Sequence, residues 1–104
     1  MHKSIISNEN YCFFCGRNAT ANHHLIFGTD KRRLADEDGI FVPICDKCHT
    51  QGQVIGRIHD NPMAEKLSKK YGQSEWEKHY IVTHGMNEVE ARAKFIERYG
   101  INYL

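Results

Sequence analysis

No stretch of this 104-residue sequence approaches the roughly 20 consecutive apolar residues that a helix needs to span a bilayer. Neither sign of charge dominates: 14 Lys and Arg stand against 13 Asp and Glu, a formal net charge of +1. Bulk charge therefore does not point to a nucleic-acid binder, and phosphate affinity has to come from local clusters, from the knuckle backbone and from a bound divalent cation. No internal repeat, low-complexity segment or interdomain linker is visible, so the expectation is one domain over residues 1–104. The opening Met1-His2-Lys3-Ser4-Ile5-Ile6-Ser7 is too short and too polar for a signal peptide, and the expected location is the cytoplasm.

Cysteine is also sparse, and its placement is informative. All 4 cysteines fall in two Cys-x-x-Cys knuckles, Cys12 to Cys15 and Cys45 to Cys48. Disulfides are the rival use, but paired knuckles in a reducing compartment suit one tetrahedral structural zinc ion better. A closed zinc site contributes on the order of 10 kcal/mol to small modules, which a short chain with a modest core needs. The interval between the knuckles is longer than in a simple zinc ribbon and leaves room for a hairpin. With the second knuckle opening a helix, the expected architecture is α+β, a treble clef over about 11–59 followed by helices over about 62–104.

In chain order, Phe13 and Phe14 are expected beside the metal. Residues 19–27 read as a strand ending at Gly28, with His23 and His24 on opposite faces. Residues 29–39 read as a loop, and Ile40-Phe41-Val42-Pro43-Ile44 as the return strand, Pro43 marking an edge. Asp46 is placed to cap a short helix over about 47–53, with His49 and Gln53 on one face and Gly52 and Gly56 limiting its length. Asn61 and Pro62 start a second helix with Met63, Leu67 and Tyr71 as its core stripe and Gly72 as its stop. Ser74 with Glu77, and Asn87 with Glu90, read as capping boxes for two further helices ending near Gly85 and Gly100. The apolar tail Ile101-Asn102-Tyr103-Leu104 is expected to dock.

The histidines carry the chemistry. His23-His24 on a strand fits one core and one surface residue; beside a knuckle and facing His49, the pair fits a general base and a ligand for a divalent cation. His49 fits a second metal ligand or a spare zinc ligand, and His59 a metal or phosphate contact or a helix-entry residue. His2, His79 and His84 read as surface residues. Lys31-Arg32-Arg33 is either a solvated charge run or a set of phosphate contacts.

Taken together, Cys12-x-x-Cys15, His23-His24-Leu25-Ile26-Phe27-Gly28, Gly39-Ile40-Phe41-Val42-Pro43-Ile44-Cys45-x-x-Cys48-His49 and Ile58-His59-x-Asn61 resemble the HNH nuclease superfamily. They are most similar to its small zinc-bearing members from phages and prophages, whose close the segment from Phe95 to Leu104 also resembles. The resemblance implies a ββα-metal site that cleaves or nicks DNA with magnesium or another divalent ion. In it His24 activates water, His23 and His49 hold the catalytic ion, His59 is a possible third contact, and Lys31, Arg32 and Arg33 meet the DNA backbone. One departure stands out: the family's middle asparagine would fall near Ile40, where this chain has Asp38-Gly39-Ile40. That departure leaves open a second expectation, a catalytically weak or inactive HNH scaffold that binds DNA or a protein partner as a phage accessory factor.

Overall fold

The chain was analysed as a computed structural model that describes residues 3–51, 58–59 and 61–104. It is a small α+β protein. Strand β1 (Ala21–His24) is followed by α1 (Lys31–Asp38), strand β2 (Phe41–Ile44), a π-helical turn (Lys47–Gln51), α2 (Pro62–His84) and α3 (Glu88–Tyr99). The strands pair antiparallel with Ala21 opposite Ile44 and His24 opposite Phe41. Pro43 sits in β2 opposite Asn22, and its carbonyl accepts the amide of Phe13 at 2.9 Å, which ties the first knuckle to the sheet. A two-stranded sheet has only edge strands, so a proline without an N–H is accommodated there.

β1 is shorter than the predicted strand: the Leu25 amide still donates to the Ile40 carbonyl at 3.0 Å, and there the pairing ends as Leu25 and Ile26 enter the core. They pack with Ala35, Ile40, Val42, Trp76, Phe95 and Tyr99. A second cluster of Cys12, Ile44, Cys45 and Ile58 surrounds the knuckles.

The segment expected to be a loop over 29–39 instead contains α1. The Gly28 carbonyl receives the amides of Lys31 and Arg32, Arg33 pairs with Glu37 one turn on, and Ala35 is buried in the core. Its composition is polar because most of its faces meet solvent. Gly39 ends it at φ 75°, where a Cβ would stand 2.6 Å from the carbonyl oxygen of Lys3. Ser4 is buried in the same region, its hydroxyl donating to the Phe41 carbonyl, so the polar lead-in is docked against β2.

The C-terminal part differs from expectation in one respect that matters. Asn61 caps α2, accepting from the Ala64 amide, and Pro62 follows it. Gly72 does not stop the helix, and Ser74 does not start a new one; α2 runs unbroken for 23 residues. Its buried face holds Ser68, Gly72, Gln73, Trp76 and Glu77, while Met63, Leu67 and Tyr71, the predicted core stripe, are 67%, 58% and 37% exposed. The reason is close approach. A Cβ on Gly72 would meet Ile26 Cγ1 at 2.9 Å, Leu25 Cβ at 3.0 Å and Ile40 Cγ2 at 3.1 Å. In its first half the helix turns Ser68 and Gly72, not Met63 and Leu67, toward the sheet.

The capping box of Asn87 and Glu90 forms as predicted, and α3 ends at Gly100. Polar hubs join these helices. Asp38 Oδ2 accepts from Trp76 Nε1, Arg98 Nε and the Tyr99 hydroxyl at 2.7–2.9 Å. Buried Gln73 donates to Glu77 and Asn102 and accepts the Tyr103 amide, which docks the tail. Asp46, expected to cap the helix after the second knuckle, accepts a hydrogen bond from the Thr20 hydroxyl, and that helix is π-helical. Its predicted end at Gln53, together with Gly52, Gly56 and His2, lies outside the described residues. His79 and His84 are exposed. Among the described residues no helix is long and apolar enough to cross a membrane.

Gly72→Ala gains about 1 kcal/mol of helix propensity but forces a methyl into a contact with Leu25 and the two isoleucines, at a cost of about 1–3 kcal/mol. Net destabilisation of about 1 kcal/mol is expected in urea denaturation; a stabilised variant would contradict the close approach.

Candidate metal centres

The first knuckle is a tight hairpin: the Cys12 amide donates to Arg17 O, the Gly16 amide to Cys12 O, and Tyr11 bridges to Asn18. The second begins where β2 ends. The Phe13 to Pro43 and Thr20 to Ile44 hydrogen bonds bring the two together. The four sulfurs of Cys12, Cys15, Cys45 and Cys48 lie within 4.8 Å of one another, and none is in a disulfide. A tetrahedral zinc with sulfur ligands at about 2.3 Å requires sulfur separations of about 3.8 Å, which this cluster fits.

The thiols are unequal. Burial would raise Cys12, but the backbone N–H groups of Cys45, Cys15 and Phe14 aimed at its sulfur outweigh that and bring it down to about 6. Cys45 is lowered chiefly by the Cys48 amide. Cys48 is pushed up strongly by burial and by the neighbouring sulfurs. Four thiolates cannot share this volume without a cation among them, and the donor set fits a structural metal site.

Two backbone hydrogen bonds extend the knuckle into a second cluster. The His49 amide donates to Cys45 O at 3.1 Å and the Ile58 amide to Cys48 O at 2.8 Å, placing His49 and His59 side by side. His23, 1% exposed on the inner face of β1, completes a trio whose ligand atoms all lie within 4.8 Å. The Nε2 atoms of His49 and His59 are 3.1 Å apart. Phe27 closes one side, its ring 4.9 Å from that of His59, and Glu65 lies 3.7 Å from His59 Nδ1.

Burial, then the neighbouring His59, His49 and His24, lower His23 from its ordinary 6.5 to about 3. His49 is lowered by burial and by His59, with Asp46 opposing and Arg32 adding to the effect. These two imidazoles are therefore neutral near pH 7 and have lone pairs to offer, as three-histidine cation sites require.

His24 lies on the other face of β1, against Phe41, with its Nε2 3.0 Å from Asp36 Oδ1. Of the cationic run, Arg32 is exposed and close enough to His49 to influence it electrostatically, Lys31 is half-buried, and Arg33 is engaged with Glu37 at 2.6 Å. The structure thus brings together His23, His49 and His59 and sets His24 apart with an acidic partner. Phe13 and Phe14, expected to pack at the metal, are exposed and line an apolar groove with Leu67 and Tyr71.

Sequence reading missed Asp36, Glu65 and Ser68. Asp36 was hidden in an apparent loop, and Ser68 fell between the apolar positions taken for the core stripe. In comparisons with family models, curated proteins and solved structures, nothing matches this chain.

Replacing Cys12 or Cys45 by Ser is expected to abolish the cooperative thermal transition or lower its midpoint sharply, and Co²⁺ added to the four cysteines should show thiolate charge-transfer absorption. Unchanged stability after chelation would refute a structural metal. The histidines add a pH dependence. Between about 3 and 6.5 the unfolded chain binds a proton at His23 that the folded chain refuses, so stability rises with pH through that window and levels off above it. The thermal midpoint should fall on acidification from about pH 7 to about pH 5, and fall less steeply in His23→Gln.

Proposed function

We propose that this protein is a metal-dependent DNA endonuclease of the HNH type, built on a zinc-stapled treble clef. The observation that supports this reading best is the convergence of His23, from the strand, with His49 and His59, from the segment following the second knuckle, beside a four-cysteine cluster. His23 comes from one strand of an antiparallel pair and His49 from the helical turn Lys47–Gln51 that carries the last cysteine, an order that supports a ββα-metal reading. The Cys12, Cys15, Cys45 and Cys48 site takes zinc and is structural. The trio takes magnesium or another divalent cation, which when bound neutralises charge on the phosphate and on the leaving oxygen.

The chain's own residues do the rest. Since a carboxylate can only accept, Asp36 receives the hydrogen on His24 Nε2, and the lone pair of the neutral ring is on Nδ1. His24 is thereby oriented to take a proton from an attacking water through Nδ1. Arg32 and Lys31, at the start of α1, are the backbone-phosphate contacts; Arg33 contributes less, being held by Glu37. The phage and prophage resemblance suggests a bacterial cytoplasm as the setting.

A second reading keeps the scaffold without the activity: a weak or inactive HNH zinc module that binds DNA or a protein partner. It is favoured by Ile40, fully buried in the apolar core where the family carries its asparagine.

Zinc-loaded protein supplied with Mg²⁺, Mn²⁺ or Ni²⁺ is expected to nick supercoiled plasmid. His24→Ala should lower the rate by about 10²-fold or more, and His49→Ala should abolish it. If no metal supports cleavage while DNA is still bound, the second reading takes over.

A further inference from the structure

One serine, far away in sequence, contacts the most buried member of the trio. Ser68 comes from the buried face of α2 and makes two hydrogen bonds inside the protein. Its hydroxyl donates to the carbonyl of Leu25 at 2.8 Å, and its oxygen lies 2.9 Å from His23 Nε2. A hydroxyl has one hydrogen and a carbonyl can only accept, so the hydrogen of Ser68 is committed to Leu25. The contact with His23 then has one possible direction: Nε2–H donates to the serine oxygen. A neutral imidazole with its hydrogen on Nε2 has its lone pair on Nδ1.

We propose that Ser68 is a positioning residue for the cation site, fixing His23 in the Nε2–H tautomer so that it binds a divalent cation through Nδ1. Outer partners of this kind hold a ligand histidine in one tautomer and one ring orientation. His49 and His59, whose Nε2 atoms already face each other, bind through Nε2, so the site has a mixed donor set. The same hydroxyl satisfies the Leu25 carbonyl just past the end of β1, so the helix that covers the core also sets the state of the ligand. The inference rests on the trio being a cation site and needs no nuclease activity.

Zn²⁺ is the probe, added as a second equivalent to protein whose four-cysteine site is already filled. Titration calorimetry reads the affinity, and two-bond ¹H–¹⁵N correlation spectra of the imidazoles read which nitrogen carries hydrogen and which carries metal. Before the second equivalent, His23 should show hydrogen on Nε2; after it, the shift change should fall on Nδ1 of His23 and on Nε2 of His49 and His59. Ser68→Ala should weaken the second Zn²⁺ by about 10–100-fold and mix the His23 tautomers, while the four thiols stay protected from modification. The wild-type spectra decide the matter even if the variant folds poorly. Hydrogen on Nδ1 of His23, or an unchanged affinity in Ser68→Ala, overturns the role of Ser68 and leaves the nuclease reading intact. Failure of wild type to take a second Zn²⁺, Mn²⁺ or Ni²⁺ overturns both.

Discussion

Four sulfurs gathered at the junction of two knuckles are the constraint on which the site depends. The first knuckle is a turn hanging from the Pro43 carbonyl, and the second is the point where β2 gives way to a helical turn. Neither has much apolar material of its own; Cys12, Ile44, Cys45 and Ile58 form a cluster too small to hold two chain segments in register unaided. The four sulfurs fit a structural metal site, and a cation bound there would supply the missing cohesion. Because Cys45 and Cys48 carbonyls also accept the amides of His49 and Ile58, the placement of two histidines follows from the placement of the sulfurs.

The rest of the molecule sets the environment of the third histidine. The core formed by Leu25, Ile26, Ile40, Val42 and the aromatic residues of α2 and α3 closes over one side of the hairpin and leaves His23 almost without solvent. Burial there disfavours the imidazolium, and Ser68 supplies the hydrogen-bond partner that a buried imidazole nitrogen needs. His24, one residue on and on the opposite face, meets Asp36 instead. The alternation of a single strand therefore separates two histidines that are identical in chemistry into different environments.

Polar hubs do for the C-terminal helices what the sulfurs do for the knuckles. Asp38 receives three donors from α2 and α3, and Gln73 joins α2 to the chain end through Asn102 and Tyr103. Each places a buried or half-buried polar group where partners from two elements converge. Such groups stabilise little by number but penalise any other arrangement, since a lost partner leaves a buried group unsatisfied.

Several features were legible in the sequence because their physics is local. Cys-x-x-Cys is a turn that presents two thiols whatever surrounds it, Asn87 and Glu90 cap each other within one turn, Asn61 and Pro62 start a helix, and His23 and His24 must diverge on a strand. Others were not legible because they depend on what a segment meets. The polar stretch after Gly28 is a helix because Ala35 finds a core to enter. Gly72 reads as a stop in isolation but sits mid-helix, since Leu25, Ile26 and Ile40 approach too closely for any side chain. That same approach rotates α2 so that Met63 and Leu67 face outward and Ser68 faces in. By itself the sequence determined which atoms could bind a metal and where the chain could turn. Only the tertiary structure decided which residues stand next to His23 and His24, because those neighbours, Ser68 and Asp36, come from helices whose orientation is set by packing.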